Sequence, residues 1–582
     1  MKDLDRTPLI ERLGRWAEKY PDDRAYTFVD YAVDVDGVET EMTWGELDRR
    51  ARAVAATIRA AAIEPGERVA ILAPQNLNYV IALLGAMYAR VIGVPLFSPD
   101  LPGHAERLLA VARDAEPTGV LTTNEALPHV TAFFGQYPEL KPRETVLVDE
   151  VEDSLEWTPE PIDPDDIAYL QYTSGSTRTP AGVIVTHGNL AVNAEQCWGT
   201  FDGVPRRSSG ATWLPLFHDM GLVTAVGLPL AYASPAHLMD PVAFIMRPAR
   251  WLELLSRLEE GFTCSPNFAY EYLTAQVTPE EKAKLDLSGV QVFMNGAEPI
   301  RPHTLEGFLE AFRECGLRPE VQVPAYGLAE ATVYVASSSR YELPVMTSFD
   351  RDKLSAGEAV VVPGDAERAA VHVGCGQPYG QEVLIVDPKT SIAHRDGLVG
   401  EIWIHGPNVT AGYWGRPEAT AETFGARLAR PVEGLPEGPW LRTGDLGVMH
   451  GGQLYVTGRI KDLVIVDGRN HYPQDIEYTT YSADEAIRNE YVAAFSVDTG
   501  EGEGLVIVAE RNRRVPIRRL DVEAVERAVR AAVKNGHDVR VHDFVLIETG
   551  ALPRTTSAKI ARAACRKAYL DGTLQVTVVP TE

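Results

Sequence analysis

Three observations predict an α/β protein with a large N-terminal part and a small C-terminal one. Short apolar runs alternate with helical patterns along most of the chain. Near Gly458 the pattern changes to a compact order of strands, helix and strand. The length of 582 residues is too great for one core, so at least two domains are expected.

Taken in order, residues 68–73 (RVAILA) read as a strand, 76–89 as a helix and 91–96 as a second strand. Further strands are expected at 118–122, 167–172, 212–216, 290–294 and 321–324. Their near-continuous apolar character is that of largely buried sheets. Beyond these, 453–457, 463–466, 491–497 and 504–509 are strand-like. Asp521 reads as the N-cap of a helix that carries Val522, Val525, Val529 and Val533 on one stripe, and a strand at 539–547 follows. This last group makes a compact α+β unit. No internal repeat or low-complexity segment interrupts the series.

Composition excludes several function classes. Acidic residues number 82 against 55 basic, for a formal net charge of −27. Such a chain is a poor general binder of nucleic acid or anionic membrane, so no nucleic-acid partner is expected. Any polyphosphate site must be built locally. Residues 462–582 hold 16 basic and 19 acidic side chains, which places most of the negative charge in the preceding part. The five cysteines, Cys197, Cys264, Cys315, Cys375 and Cys565, are scattered, with no zinc spacing and no disulfide framework. The first twenty residues lack a signal-peptide apolar core. The longest apolar stretch, 80–97, is broken by Arg90, Gly93 and Pro95, so it reads as a buried helix and strand and not as a membrane span. A reducing cytoplasm suits these features.

Four segments carry the chemistry. In YTSGSTRTPAGV, residues 172–183, a strand enters a loop of hydroxyls around a glycine, whose N–H groups and hydroxyls can cradle phosphate oxygens. It is not a Walker loop, since GxxxxGK[ST] is absent. In VPAYGLAEATVYV, residues 323–335, a strand ends in Tyr326-Gly327, where a ring can stack on a base, and the nearby Glu330 carboxylate can hold Mg²⁺ that bridges phosphates. In LRTGDLG, residues 441–447, Asp445 sits in a glycine turn that can accept hydrogen bonds from a ribose. In LPRTTSAKIARAA, residues 552–564, Lys559 lies in a polar loop before a helix-like run. Each segment alone also fits a structural role: a polar turn, a core tyrosine, a turn-forming aspartate, a solvated lysine.

Together, and in this order, the four segments resemble those of the acyl-adenylate-forming superfamily of acyl-CoA ligases, luciferases and nonribosomal adenylation domains. Within it, WLPLFHDMGLV at 213–223, LMDPVAFIMRPARWLELL at 238–255, SPNFAY at 265–270, NGAEPI at 295–300 and Ala329 in place of the usual Thr resemble the fatty acyl-AMP ligase branch. Gly374 stands 44 residues beyond Glu330, a stretch that is shorter in acyl-CoA ligases. The extra material, 341–362, is similar to the insertion that in acyl-AMP ligases hinders the rotation needed for thioester formation with CoA; the plainer alternative is a surface loop. Three positions depart from the wider pattern: Arg178 for Gly, Ala181 for Lys and Ala558 for Gly.

The resemblance implies a large acyl-adenylate synthetase-type domain of packed mixed sheets and helices over 1–460, and a small mobile α+β domain over 461–582 with its hinge at Lys461. It implies ATP and a fatty acid as substrates, Mg²⁺ as the cation, and acyl-AMP with pyrophosphate as products. It assigns phosphate binding to Thr173, Ser174, Gly175, Ser176 and Thr177, adenine to Tyr326, Gly327, Gly296, Ala297 and Glu298, and the ribose side to Asp445 and Arg459. Glu330 would hold Mg²⁺, Lys559 would bridge the carboxylate and the α-phosphate, and His218 would meet the acyl carboxylate. The acyl group would then pass to an acyl carrier protein of a polyketide or nonribosomal peptide synthase, for which the cluster of Arg511, Arg513, Arg514, Arg518 and Arg519 offers a docking surface. Two other readings compete: a fatty acyl-CoA ligase, and a non-catalytic adenylate-binding protein, against which the presence of Lys559 and Glu330 argues.

Overall fold

The computed structural model describes residues 4–101, 104–173, 180–466, 469–500, 502–555 and 559–577. Two large sheets make up the first part. One has six strands in the order Glu144–Leu147, Gly119–Thr122, Arg68–Ile71, Ile92–Pro95, Ile167–Tyr172 and Gly182–Thr186. All its pairs are parallel but the last. The other has nine strands, with a parallel centre running from Gln322–Gly327 through Val290–Gly296, Gly261–Pro266, Ser209–Thr212 and Ala236–Met239 to Arg24–Asp30. Antiparallel strands close both of its ends.

The sequence explains these elements locally. Helix Leu77–Tyr88 starts where the Asn76 side chain accepts from the Asn78 N–H, and it is apolar on all sides because it is buried on all sides. Its side chains join those of both sheets, Val69 and Ala168 from one and Phe262 and Phe293 from the other, in a single core. Helix His187–Phe201 starts with a capping box of Thr186 and Asn189. One expected element is corrected. The run 212–216 is not a strand, since the strand there is Ser209–Thr212. Pro215 has no N–H to give a ladder, the Leu214 N–H donates to Thr212 Oγ1 at 3.0 Å, and the Leu216 N–H donates to Gln75 Oε1 at 3.0 Å.

A four-stranded antiparallel sheet follows, Glu382–Val386, Gly400–His405, Leu441–His450 and Gln453–Arg459. The segment 341–362 packs beside it. Its strand Met346–Asp350 pairs with Ala369–Val373, and Phe349 sets its ring edge-on to Tyr455, centroids 5.2 Å apart. After the short turn Ile460–Asp462 come the strands Ile487–Asp498, Glu503–Arg511 and Val541–Ile547. Helix Val522–His537 packs on them, with Val525, Val529 and Val533 buried and the Asp521 side chain accepting from the Ala524 N–H at 2.9 Å. Among the described residues, no helix is long and apolar enough to cross a membrane.

Candidate active site

A cavity of about 1530 Å³ opens where these units meet. Strands Val290–Gly296 and Gln322–Gly327 end on it, and in open α/β sheets the carboxyl ends of parallel strands are where ligands bind. Tyr172 and Thr173 reach it from the six-stranded sheet, Asp445 and Arg459 from the four-stranded sheet, and Lys559 from the C-terminal segment.

One wall is a connected polar group. The buried Tyr326 hydroxyl donates to Asp445 Oδ2 at 2.8 Å, and Arg459 Nε donates to Asp445 Oδ1 at 2.8 Å. The Asp445 backbone N–H in turn donates to Thr443 Oγ1 at 3.0 Å. The Asp445 carboxylate raises the Arg459 guanidinium above its ordinary range, so the guanidinium stays charged. A carboxylate offers about four lone-pair positions, so Asp445 retains acceptor capacity for a ligand hydroxyl. Gly327 is required by close packing: a Cβ there would lie 1.8 Å from the Val333 carbonyl oxygen. Beside them, Ala297 holds a left-handed φ of 66° after Gly296. Glu298 follows, its Oε1 accepting from the Phe268 N–H at 2.7 Å. Burial pushes the Glu298 carboxyl up, against the pull of that hydrogen bond.

His218, Asp219 and Lys559 line the same cavity. His218 Nδ1 lies 2.6 Å from Asp219 Oδ1. The Asp219 carboxyl is opposed by burial but is held below its ordinary range by His218 and then by Lys559. Burial lowers the Lys559 ammonium, and Asp219 pulls it back up. The HDMG run starts a short helix, Asp219–Leu222, with His218 as its N-cap. Gly221 is fixed there by Pro215, whose carbonyl oxygen a Cβ would meet at 2.1 Å. The helix then widens into a π turn over Val223–Gly227, a distortion common at functional sites.

Glu330 faces the same cavity. Its Oε1 accepts from the Tyr413 hydroxyl at 2.8 Å, and its carbonyl oxygen accepts from the Thr410 N–H at 3.0 Å. Burial raises its carboxyl, while the Tyr413 bond opposes. Among the described residues, no group of three or more His, Cys, Asp or Glu could hold a metal alone. Mg²⁺, however, is commonly held by one or two carboxylates with substrate phosphates and water. Glu330 is a hard oxygen donor in a cavity that also takes in Thr173, and it fits that role.

Of the residues expected from the sequence, His218, Glu330, Lys559, Thr173, Gly296, Ala297, Glu298, Tyr326, Gly327, Asp445 and Arg459 all line this one cavity. Ser174, Gly175, Ser176 and Thr177 lie outside the described residues, as do Arg178 and Ala558. The structure adds Asp219 and Tyr413 to this set. The first could have been found from its place beside His218. The second, 83 residues from Glu330, gives no local signal. Of the arginine cluster, Arg511 is engaged with Glu548 at 3.1 Å, while Arg518 and Arg519 stand on the exposed turn Ile517–Arg519.

The profile of the family described as AMP-binding enzyme matches residues 13–414. The chain is 43% identical to the long-chain-fatty-acid–AMP ligase FadD32 of Mycolicibacterium smegmatis, over 99% of this chain and 96% of that one. A structure from work on fatty acyl-adenylate ligases of E. coli and L. pneumophila superposes with a TM-score of 0.85, at 31% identity, covering 97% of this chain and 98% of the other. A fatty acyl-adenylate ligase of L. pneumophila in complex with acyl adenylate and pyrophosphate gives a TM-score of 0.73 at 33% identity, with 97% of each chain covered.

Proposed function

The chain belongs to the AMP-binding enzyme family, and from that premise we infer that it is an ATP-dependent fatty acid–AMP ligase, joining a fatty acid to AMP with release of pyrophosphate. The observation that carries this reading is the convergence of Lys559, His218 and Asp219 with the Tyr326–Asp445–Arg459 group and Glu330 on one cavity.

The fatty carboxylate is ionised at neutral pH and needs no general base. The difficulty is bringing one anion onto another, so catalysis is positioning and charge stabilisation. We propose that Lys559 bridges the acyl carboxylate and the α-phosphate, with His218 beside the carboxylate. Asp445 and Arg459 take the ribose side, Tyr326, Gly327 and the 296–298 turn take adenine, and Thr173 through Thr177 take the outer phosphates. Mg²⁺ held at Glu330 would neutralise phosphate charge. The acyl-adenylate is a reactive anhydride, so a site closed to water is needed to protect it.

Lys559 acts as a cation, so activity is lost as pH rises through its pKa. Asp219 opposes the lowering that burial imposes on that pKa. Asp219→Asn is therefore expected to move the alkaline limb of the adenylation pH profile to lower pH. A limb that stays in place would remove Asp219 from this role.

We further propose that 1–460 and 461–582 are separate domains hinged at Lys461, and that the acyl group passes to the phosphopantetheine arm of an acyl carrier protein. Arg513, Arg514, Arg518 and Arg519 offer that acidic partner a basic surface. The cysteines, all unpaired and buried, suit the cytoplasm. The insertion 341–362 supplies a restraint on hinge rotation. Arg351 Nη1 donates to the Gly536 carbonyl at 2.5 Å, in the last turn of helix Val522–His537, where orphan carbonyls favour a cation. Arg351→Ala is expected to leave adenylation within about twofold and to raise CoA-dependent turnover by up to about tenfold, the worth of one partly exposed charged hydrogen bond. Chromatography of acyl-CoA checks it, and an unchanged rate would show that Arg351 restrains nothing.

The reading as a whole is tested by mass spectrometry of products from ATP and a fatty-acid panel, with CoA and with a carrier protein in parallel. Acyl-AMP and acyl-carrier are the expected products. Acyl-CoA as the main product would favour the CoA ligase reading, and no pyrophosphate release would overturn both.

A further inference from the structure

The parallel strands Gly261–Pro266 and Val290–Gly296 provide a ruler for the depth of the cavity. Pro266 pairs with Gly296 at the adenylate level, Cys264 with Met294, and Phe262 with Val292. Alternate residues of a strand share a face, so Pro266, Cys264 and Phe262 point the same way. Cys264 and Met294 line the cavity, about 7 Å below Gly296 at ~3.3 Å per residue. Phe262, about 13 Å below by the same rise, is not among the lining residues. At that depth something closes the space.

Phe201 closes it. It lines the cavity, is 4% exposed, and sets its ring against Phe262 with centroids 5.9 Å apart. Trp198 supports Phe262 edge-on at 6.2 Å, and a Cβ on Gly210 behind it would already touch the Phe262 ring at 3.0 Å. The wall beside Phe201 is fixed by the Tyr334 hydroxyl, 2.9 Å from Thr200 Oγ1. Phe201 is also the last residue of helix His187–Phe201, and the next residue, Asp202, is held from outside. The Tyr341 hydroxyl donates to Asp202 Oδ2 at 2.7 Å, and Arg340 Nη2 donates to the Asp202 carbonyl at 3.3 Å. Phe201 is thus an aromatic ring held from behind and from its C-terminal side.

We propose that Phe201, backed by Phe262, is the floor of the acyl pocket and sets the longest acid that the enzyme accepts. The proposal rests on the fatty acid–AMP ligase reading. An acid too long for the floor must fold back or leave its carboxylate short of Lys559. One that stops above it forgoes burial of its missing methylenes.

The test is kcat/KM for pyrophosphate release with saturated acids from hexanoic to stearic, for the intact chain and for Phe201→Ala, Phe201→Leu and Phe201→Trp. Ala is expected to move the optimum to longer acids, with a gain of about fourfold for each further methylene admitted, the equivalent of ~0.8 kcal/mol. Leu should move it less in the same direction, and Trp should move it to shorter acids. Should the Ala protein fail to fold, the Leu and Trp arms decide. Identical length profiles in wild type and folded variants would overturn the floor assignment. A wild type that activates no acid would instead overturn the ligase reading.

Discussion

Lys559→Ala is expected to slow acyl-adenylate formation by about 10²–10³-fold, the scale of losing one preorganised group at a developing charge. The argument comes from where the ammonium stands. It shares the cavity with His218, Asp219, Asp445 and Arg459. Asp219 and Glu298 favour its charged form, while burial and Arg459 oppose it. A cation held in that cavity serves the moment when two anions meet. Its loss should fall on kcat, with KM for ATP little changed, because adenine and ribose are held by other residues. Lys559→Arg should recover only part of the rate, since a planar fork cannot replace a point charge between two oxygens. Stopped-flow or isotope-exchange measurement of the first step checks this. Near-normal rates in the Ala protein would remove Lys559 from catalysis.

Much of this site was legible in the sequence because strand ends carry it. Val290–Gly296 and Gln322–Gly327 are apolar runs closed by glycine, so Gly296, Tyr326 and Gly327 had to emerge at an edge of a buried sheet. The Asp521 cap and the valine stripe foretold the helix at Val522–His537. Long-range partners were not legible. Tyr413 reaches Glu330 across 83 residues, and Arg351 reaches Gly536 across 185; no periodicity encodes either. The misplaced strand at 212–216 has the same origin, since its N–H groups are satisfied by side chains, one of them Gln75 from 141 residues away. Local pattern gives the element, and tertiary hydrogen bonding decides where it stops.

Asp445→Ala is expected to cost stability and nucleotide binding by separate routes, and the two can be resolved. The carboxylate is 4% exposed and accepts from both Tyr326 and Arg459. Arg459 keeps 48% of its side chain exposed, so water can replace its lost partner and the ion pair itself contributes little. Tyr326 is buried, and its hydroxyl would lose its carboxylate acceptor and keep only Thr443 beside it, at about 1–3 kcal/mol. The stability loss should therefore follow the tyrosine: Tyr326→Phe in the Ala background should restore most of it. Nucleotide binding should not recover in that double variant. Two ribose hydroxyls would lose a charged acceptor at roughly 1.5–3 kcal/mol each, so kcat/KM for ATP is expected to fall by at least about 10²-fold. Asn at 445 keeps the shape but lacks the charge and should lie between. Thermal unfolding separates the first effect and ATP titration of the first half-reaction the second. If the double variant regained ATP affinity along with stability, Asp445 would be a structural partner of Tyr326 and no ligand of the ribose.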